Sequence, residues 1–277
     1  MGVRYAEVIG DPIAHSKSPL VHRFWLDRLG LRHEYRATRV TPEYLRLYLD
    51  ERRSDPDWVG CNVTMPLKRA IVPLLDRSFA AAKAIGAVNT VIKLERCEID
   101  WPHGGLVGNN TDLRGFAEPF REQYAERGTA AVIGSGGAAR AALIALTGLG
   151  FQIVHVANRT RLNAEAMLRQ LGERVDLARS VADPIPAVDL LVNASAIGSR
   201  GAEQDFDLRA LPPTAIVYDI VYDPPETPLL AAARAQGLRT IDGFQMLIGQ
   251  AAASFVHFFD GEPPRHLDHQ LRELLTR

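Results

Sequence analysis

Cysteine and net charge are both scarce in this sequence, and each absence excludes a class of function. Cys61 and Cys97 are the only cysteines among 277 residues, which leaves no basis for a disulfide framework or for a zinc site with paired Cys-x-x-Cys ligands. We therefore expect a reducing compartment, with the cytoplasm as the default. The formal net charge of −1 supplies no broad basic field for nucleic acid or for an anionic membrane surface. Any anion site should be local.

Long hydrophobic runs are missing as well. No segment reaches about 18 uninterrupted apolar residues, the length that predicts a membrane-spanning helix. The first residues, MGVRYAEVIGD, lack the apolar core of a signal peptide. The eight histidines are scattered, and only His266 and His269 lie near one another, without further ligands beside them. The sequence predicts neither a membrane span nor a metal site.

Strand-like and helix-like patterns alternate along the chain, whose length favours two domains. The predicted strands are 5–10, 33–40, 59–63, 88–95, 105–110, 130–134, 151–158, 189–195 and 215–221. The predicted helices are 18–30, 42–52, 68–76, 78–85, about fifteen residues from Thr111, 138–146, 161–171, 228–236, 243–258 and 264–276. This alternation indicates α/β domains with parallel strands. We expect one α/β domain over 1–110, joined by C-terminal helices in 243–277, and a second over 111–242.

A glycine-rich turn opens the second series of elements. The segment VIGSGGAARAA (132–142) places Gly134, Gly136, Gly137 and Ala139 between a predicted strand and a predicted helix. Such glycines permit a tight turn, a close approach to a pyrophosphate and close helix packing, while the helix N-terminus holds the anion. An ordinary tight turn is the alternative. The flanking strand, helix and second strand favour a Rossmann-like dinucleotide-binding domain.

The end of the next predicted strand indicates which nicotinamide cofactor binds. An NAD site usually carries an acidic residue there, which accepts from the ribose 2′-hydroxyl. This chain instead has NRTR, with Arg159 and Arg161. Guanidinium groups can bind a 2′-phosphate that a carboxylate would repel. We therefore predict NADP(H), against the alternative that both arginines only open a solvated helix.

Lys68, in GCNVTMPLK (60–68), raises the question of a proton route. Hydride transfer to a ketone requires a proton donor in addition to the cofactor. Asp112, in GNNTD (108–112), is the best carboxylate partner, because it lies at a predicted strand–helix junction between the two domains. Such a pair would face an interdomain cleft, where small ligands often bind. The alternative is a solvated surface lysine.

Several segments together resemble the shikimate dehydrogenase family (shikimate and quinate dehydrogenases) over nearly the whole chain. They are GDPIAHSKSP (10–19), GCNVTMPLK (60–68), GAVNT (86–90), GNNTD (108–112), the glycine turn with NRT (158–160), and DIVYDPPETPLL (219–230) with GQAA (249–252). The resemblance implies an N-terminal substrate domain and a Rossmann-like NADP domain. It also implies the NADP-dependent, reversible reduction of 3-dehydroshikimate to shikimate in aromatic amino acid biosynthesis.

The resemblance also implies roles for individual residues. Ser16 and Ser18 would bind the substrate carboxylate, and the predicted helix start at Ser18, with Ser18 as N-cap, agrees with an anion there. Lys68 would transfer the proton and Asp112 would orient it. The residues that would hold ring hydroxyls or lie near the ring are Thr64, Asn89, Asp112, Gln250 and Tyr222.

For the cofactor, the resemblance implies three groups of residues. The pyrophosphate turn would comprise Gly134, Gly136, Gly137 and Ala138, and the adenosine phosphate would lie at Asn158, Arg159 and Thr160. The groove and the nicotinamide end would be lined by Ala194, Ser195, Ile197, Gly243 and Met246.

Two departures from the family pattern bear on the substrate. Ala196 replaces a hydroxyl residue in NASAIG, and Gln245 stands in GFQML where many members carry glycine. Quinate or a related cyclic hydroxy acid therefore remains an alternative substrate. A sensor that binds a nucleotide or a ring acid without catalysis is the alternative from another class. A small-molecule substrate and a monomer or homodimer are expected, without nucleic acid or membrane partners.

Overall fold

Two six-stranded sheets organise the chain in this computed structural model, which describes residues 2–94, 105–120, 128–171, 175–177, 185–199 and 206–277. One unit consists of Met1–Thr111 with Gln250–Arg277, and the other of Asp112–Gly249. The predicted α/β class is confirmed. Within the described ranges, none of the helices has the length and apolarity needed to cross a membrane.

The first unit contains strands β1 to β6 in the order β2-β1-β3-β5-β6-β4. Its strands are β1 (Tyr5–Gly10), β2 (Glu34–Arg39), β3 (Trp58–Val63), β4 (Arg77–Ser78), β5 (Thr90–Leu94) and β6 (Gly105–Asn109). Its helices before residue 111 are α1 (Ser18–Leu29), α2 (Leu45–Ser54), α3 (Leu67–Ala70) and α4 (Ala80–Ile85). β2, β1 and β3 pair in parallel, so the loops after β1 and β3 lie at the same sheet edge.

Parallel pairing, which the alternation of strands and helices predicts, holds for only part of this sheet. β5 pairs antiparallel with both β3 and β6. Antiparallel pairing places the start of β5 beside the ends of β3 and β6, with Asn62 opposite Thr90 and Asn109 opposite Thr90. The residues that enter β5 therefore join the edge at which the loops after β1 and β3 lie.

The second unit has a fully parallel sheet in the order β12-β11-β10-β7-β8-β9. Its strands are β7 (Thr129–Ile133), β8 (Ile153–Ala157), β9 (Val175–Leu177), β10 (Leu190–Asn193), β11 (Ile216–Asp219) and β12 (Arg239–Ile241). Its helices are α5 (Asp112–Ala117), α6 (Gly137–Gly148), α7 (Arg161–Leu171) and α8 (Pro228–Ala235). Small side chains of α6, such as Ala139 and Ala142, pack in the core with Val132 and Val156.

The last helices are α9 (Gly243–Phe259) and α10 (Asp268–Leu275), the latter after a 3₁₀ turn at Arg265–Leu267. Several predicted helices are shorter than expected. The segment 68–76 divides into α3 and a 3₁₀ turn (Val72–Leu74), because Pro73 lacks an N–H donor. The helix from Thr111 ends at Ala117, a 3₁₀ turn follows (Glu118–Phe120), and its predicted continuation lies outside the described residues, as does Cys97.

Candidate functional site

The loops after β1 and β3 are held together by their backbones. Thr64 N–H donates to the Ile9 carbonyl over 2.9 Å, and Asp11 N–H donates to the Met65 carbonyl over 3.1 Å. A Cβ placed on Gly10 would lie 2.5 Å from Thr64 Cγ2, so glycine is needed for this approach. The predicted substrate residue Thr64 is thus fixed beside the loop that carries the two serines.

Ser16 and Ser18 lie together at the start of α1. Ser18 N–H donates to Ser16 Oγ over 3.3 Å, and the helix begins at Ser18 itself. Lys17 is the N-cap residue, so the predicted N-cap at Ser18 was wrong by one position. Ser18 is the first helical residue, where N–H groups lack intrahelical acceptors and favour an anion.

Lys68 lies on the short helix α3 and is partly buried. Its carbonyl oxygen accepts from Val88 N–H over 2.8 Å. The backbone of Lys68 is therefore anchored to the segment that enters β5, one residue before Asn89.

Asn89 is the centre of a buried hydrogen-bond network in the first unit. Its Oδ1 accepts from Thr111 N–H over 2.7 Å and from Thr90 Oγ1–H over 2.9 Å. Its Nδ2 donates to Gln250 Oε1 over 3.2 Å and to Thr111 Oγ1 over 3.1 Å. The structure thus brings Asn89 and Gln250, two predicted substrate residues, into direct contact. The amide of Asn89 has a fixed orientation, because its oxygen faces a backbone N–H that can only donate.

The network continues into the core through residues that the sequence did not single out. Asn62 Nδ2 donates to Thr90 Oγ1 over 3.1 Å, and Asn62 Oδ1 accepts from Tyr35 O–H over 2.6 Å and from Ser254 O–H over 3.3 Å. A polar residue inside the otherwise apolar β3 was the available signal for Asn62. Because buried polar groups need partners, this chain of bonds fixes the position of Asn89.

Asp112 directly follows Thr111 and is the first residue of α5. It is buried, and its acidic side chain lies in the first turn of that helix. Thr111 N–H is bonded to Asn89, so the chain is fixed one residue before the predicted catalytic carboxylate.

In the second unit, the glycine turn packs closely against the turn after β10 and leaves open space beside Gly136. Gly134 has φ of +123°, and a Cβ on it would lie 2.6 Å from the Ala194 carbonyl oxygen. A Cβ on Gly136 would meet no atom within 4 Å, which leaves open space beside the turn. The twelve-residue helix α6 begins at Gly137 without a side-chain cap. The first N–H groups of a helix, here including that of Ala138, lack intrahelical acceptors, so this helix start can hold an anion.

The residues after β8 lie at the neighbouring strand end. Gly134 N–H donates to the Ala157 carbonyl over 2.8 Å, so the glycine turn and the end of β8 are adjacent. Asn158 Nδ2 donates to the Thr160 carbonyl over 2.8 Å, which shapes the turn. Arg159 and Thr160 are exposed. This part of the unit fits the adenosine phosphate of NADP(H) by position and by charge.

A second turn follows β10 and contains Ala194, Ser195 and Ile197. Asn193 Oδ1 accepts from Ser195 Oγ–H over 2.7 Å, and Asn193 Nδ2 donates to the Ile197 carbonyl over 2.7 Å. The same Nδ2 donates to Asp219 Oδ1 over 2.9 Å. Sequence reasoning had identified the turn residues but not the two side chains that hold them, Asn193 and Asp219.

Asp219 is buried at the end of β11 and accepts further bonds from Val221 N–H (3.0 Å) and Thr227 O–H (2.6 Å). Burial raises the pKa of this carboxyl group to about 6, although its three hydrogen bonds oppose the rise.

The start of α9 packs against the loop after β11. A Cβ on Gly243 would lie 2.5 Å from the Ile220 carbonyl oxygen and 2.6 Å from that of Val221. The rings of Tyr222 and Phe244 lie 6.0 Å apart. Met246 is buried in the core with Ala194, whereas Gln245 is exposed. The first unit thus contains the predicted substrate residues Ser16, Ser18, Thr64, Lys68, Asn89 and Gln250. The second unit contains Asp112, Tyr222 and the predicted cofactor residues.

The chain is similar in sequence and in fold to known proteins. Residues 8–91 match the family model described as the shikimate dehydrogenase substrate binding domain. A curated relative from Sphingopyxis alaskensis, named shikimate dehydrogenase (NADP(+)), is 48% identical over 98% of this chain and 97% of its own.

Solved structures of similar fold were also found. Shikimate 5-dehydrogenase from Thermus thermophilus, in complex with NADP(H) and shikimate, aligns with a TM-score of 0.83 and 34% identity over 98% of this chain and 99% of its own. The 5-ketofructose reductase of Gluconobacter sp. strain CHM43 aligns with a TM-score of 0.85 and 25% identity, covering 99% of each chain. Proteins with this fold therefore bear names that refer to more than one substrate.

Proposed function

The chain belongs to the shikimate dehydrogenase family, and from that premise we propose which residues bind the substrate, hold the cofactor and move the proton. The chain is an NADP-dependent oxidoreductase that reversibly reduces 3-dehydroshikimate to shikimate, a step of aromatic biosynthesis. The assignment of roles to individual residues below is the proposal. The Asn89 network, which joins Gln250, Thr111 and the segment beside Lys68, is the observation that carries it.

Ser16 and Ser18 bind the substrate carboxylate. They meet at the first residue of α1, where hydroxyl and backbone donors lie together and the helix dipole favours negative charge. Thr64 lies beside this loop and contributes a hydroxyl to the ring.

Asn89 and Gln250 orient the ring hydroxyls through their amide groups. Gln250 Oε1 already accepts from Asn89 Nδ2, so its Nε2 is directed elsewhere and can donate to a substrate oxygen. A neutral amide pair of fixed orientation suits neutral hydroxyls, because it supplies donors and acceptors without a buried charge. We also assign Tyr222, in the second unit, to the substrate residues.

Lys68 transfers the proton, and Asp112 orients the Lys68 side chain. When NADPH is bound, it supplies the hydride that reduces the C3 ketone. The Lys68 ammonium donates its proton to the C3 oxygen, and in the oxidation direction the neutral amine takes the proton from the C3 hydroxyl. Asp112 accepts a hydrogen bond from the reacting hydroxyl and stabilises the ammonium. The anchored backbone of Lys68 favours such a fixed position.

In the second unit, Gly134, Gly136, Gly137 and Ala138 surround the pyrophosphate, and Arg159 binds the 2′-phosphate with Asn158 and Thr160 beside it. Ala194, Ser195 and Ile197 line the groove, with Gly243 and Met246 at the nicotinamide end.

We expect Arg159→Gln to weaken the binding of NADPH about 10–100-fold while the Kd for NADH stays within about twofold, because only NADPH carries the 2′-phosphate. Arg161→Gln is the matched control, since Arg161 pairs with Glu165 over 2.7 Å. An equal loss for both nicotinamides would contradict the phosphate assignment.

Steady-state assays with shikimate and quinate, each with NADP⁺ and NAD⁺, test the substrate. We expect the highest kcat/KM for shikimate with NADP⁺. A higher kcat/KM for quinate would identify quinate as the preferred substrate. Binding of NADPH without turnover of either acid would favour a sensor over an enzyme.

A further inference from the structure

Asp219 connects the loops at the carboxyl edge of the second sheet, although it belongs to none of the substrate or cofactor groups assigned above. It accepts from the side chain of Asn193 on the neighbouring strand, from the backbone N–H of Val221, and from the hydroxyl of Thr227. Asn193 and Asp219 are also paired in register at the ends of β10 and β11. We propose that Asp219 is a positioning residue that holds the cofactor loops in the arrangement that binds NADP(H).

One arm of this arrangement reaches the glycine turn. Asn193, held by Asp219, bonds Ser195 and the Ile197 carbonyl, and so determines the shape of the turn at 193–197. The backbone of that turn lies against Gly134, at a distance that only glycine permits. A shift of Asn193 would therefore displace the surface against which the pyrophosphate turn packs.

The other arm reaches α8 and the start of α9. Thr227 donates to Asp219 and accepts from Leu230 N–H over 3.3 Å, which makes it the N-cap of α8. The Val221 N–H bond fixes the loop whose carbonyls lie against Gly243. A single carboxylate thus sets the positions of both loops that follow β10 and β11.

The burial of this carboxylate favours a specific role. A charged group in a strand end that is fully covered costs free energy, and an apolar residue of similar size would pack there without that cost. A carboxylate can accept several donors at once, and here it accepts one side-chain amide, one backbone N–H and one hydroxyl. The three donors therefore need a hydrogen-bond acceptor at position 219, and an apolar side chain of the same size would not supply one.

The inference rests on the proposed cofactor site, and its test compares three variants of the full-length chain. Asp219→Ala removes the acceptor. Asp219→Asn keeps an oxygen for Asn193 and Val221, and its amide nitrogen can donate to the Thr227 hydroxyl oxygen. Asp189→Ala is the matched control, because Asp189 accepts from Thr129 N–H over 2.7 Å at the opposite edge of the same sheet. Calorimetric titration measures the Kd for NADPH, steady-state assays measure the KM for shikimate, and thermal melts verify folding.

We expect Asp219→Ala to raise the Kd for NADPH at least tenfold and to change the KM for shikimate less than threefold. Asp219→Asn should keep the Kd within threefold of the unmodified chain, as should Asp189→Ala. A Kd unchanged in a folded Asp219→Ala, or one raised equally in Asp189→Ala, overturns the inference. If the unmodified chain itself binds no NADPH, the proposed cofactor site fails instead.

Thr227→Val provides the test if Asp219→Ala does not fold. It removes one of the three bonds to Asp219, together with the capping bond from Leu230 N–H, and keeps the shape of the side chain. We expect a Kd for NADPH raised about three- to tenfold with the KM for shikimate unchanged. A Kd that does not move, or a KM for shikimate that rises as much as the Kd, overturns the inference.

Discussion

The two units organise their loops around different kinds of side chain. In the first unit, the centre is the neutral amide of Asn89, which both donates and accepts. In the second unit, the centre is the carboxylate of Asp219, which only accepts. An amide with a fixed orientation can extend a pattern of donors and acceptors toward a polyhydroxylated ring. A carboxylate gathers donors from several loops and leaves the helix N-terminus to bind an anion.

This comparison predicts that substitutions in the first unit change the rate of the chemical step or the binding of the substrate ring. The largest effect should come from Lys68. We expect Lys68→Ala to lower kcat by about 10²–10⁴ with the KM for shikimate little changed, because a positioned proton donor acts mainly in the transition state. Steady-state kinetics would measure it. Lys83→Ala, an exposed lysine on α4, is the control. A kcat for Lys68→Ala equal to that of the unmodified chain would show that Lys68 does not transfer the proton.

Asn89→Ala tests the difference between the two centres directly. We expect the KM for shikimate to rise about 10–100-fold, because Gln250 and Thr111 lose their common partner and several donors are left unsatisfied. The Kd for NADPH should stay within threefold, the reverse of the pattern for Asp219→Ala. If Asn89→Ala and Asp219→Ala each raise the KM for shikimate and the Kd for NADPH by the same factor, the two centres do not act separately.

The sequence predicted many of these features, and the reasons differ for those it missed. Periodicity identified the strand at Tyr5–Gly10 and the helix at Arg161–Leu171 with their observed bounds. The strands β4, β9 and β12 have two or three residues, too few to show a period. The antiparallel direction of β5 follows from tertiary pairing and not from local pattern.

The same distinction applies to the site. Glycine turns and the NRT segment are visible because they depend on local backbone geometry. Asn62, Thr111 and Asp219 were not singled out, because each bonds at least one residue distant in the chain. Tyr35 lies 27 positions from Asn62, and Asn193 lies 26 positions from Asp219. Only folded coordinates reveal such partners.

The two units should also differ in how acid affects them, and the larger change is expected in the first unit. His22 is buried, its ring stacks on Tyr35 at 3.9 Å, and neither ring nitrogen has a hydrogen-bond partner among the described residues. Burial lowers the pKa of His22 to about 3. The unfolded chain, with a histidine pKa near 6.5, therefore binds more protons between about pH 3 and 6.5, and stability falls as the pH falls through this window.

We expect the free energy of unfolding of the first unit to drop by about 2 kcal/mol between pH 7 and pH 5 through His22 alone. Tryptophan fluorescence during urea unfolding would measure it, because all three tryptophans, Trp25, Trp58 and Trp101, fall within Met1–Thr111. His22→Phe keeps an aromatic ring on Tyr35 and should remove this part of the pH dependence. An identical slope in both proteins would show that His22 does not titrate on unfolding.

Asp219 should produce a smaller effect of opposite sign. Its folded pKa of about 6 lies above the unfolded value of 3.8, so the folded chain binds more protons between these limits. Its ionisation therefore lowers the free energy of unfolding as the pH rises through the folded pKa, by about 1 kcal/mol between pH 5 and pH 7. Circular dichroism during urea unfolding should show that the free energy of unfolding of Asp219→Asn increases relative to that of the unmodified chain as the pH rises. A constant difference between the two would contradict the elevated pKa.

The outermost strands of the two sheets bear on behaviour at high concentration. β4, β9 and β12 each offer only two or three residues of unpaired backbone as the structure describes them. β2 is longer, but it carries charged side chains, including Arg36 paired with Glu34 over 2.6 Å. Short or charged outer strands are poor templates for the addition of a strand from another molecule. The native fold should therefore resist edge-to-edge aggregation, which leaves partly unfolded chains as the species most prone to it.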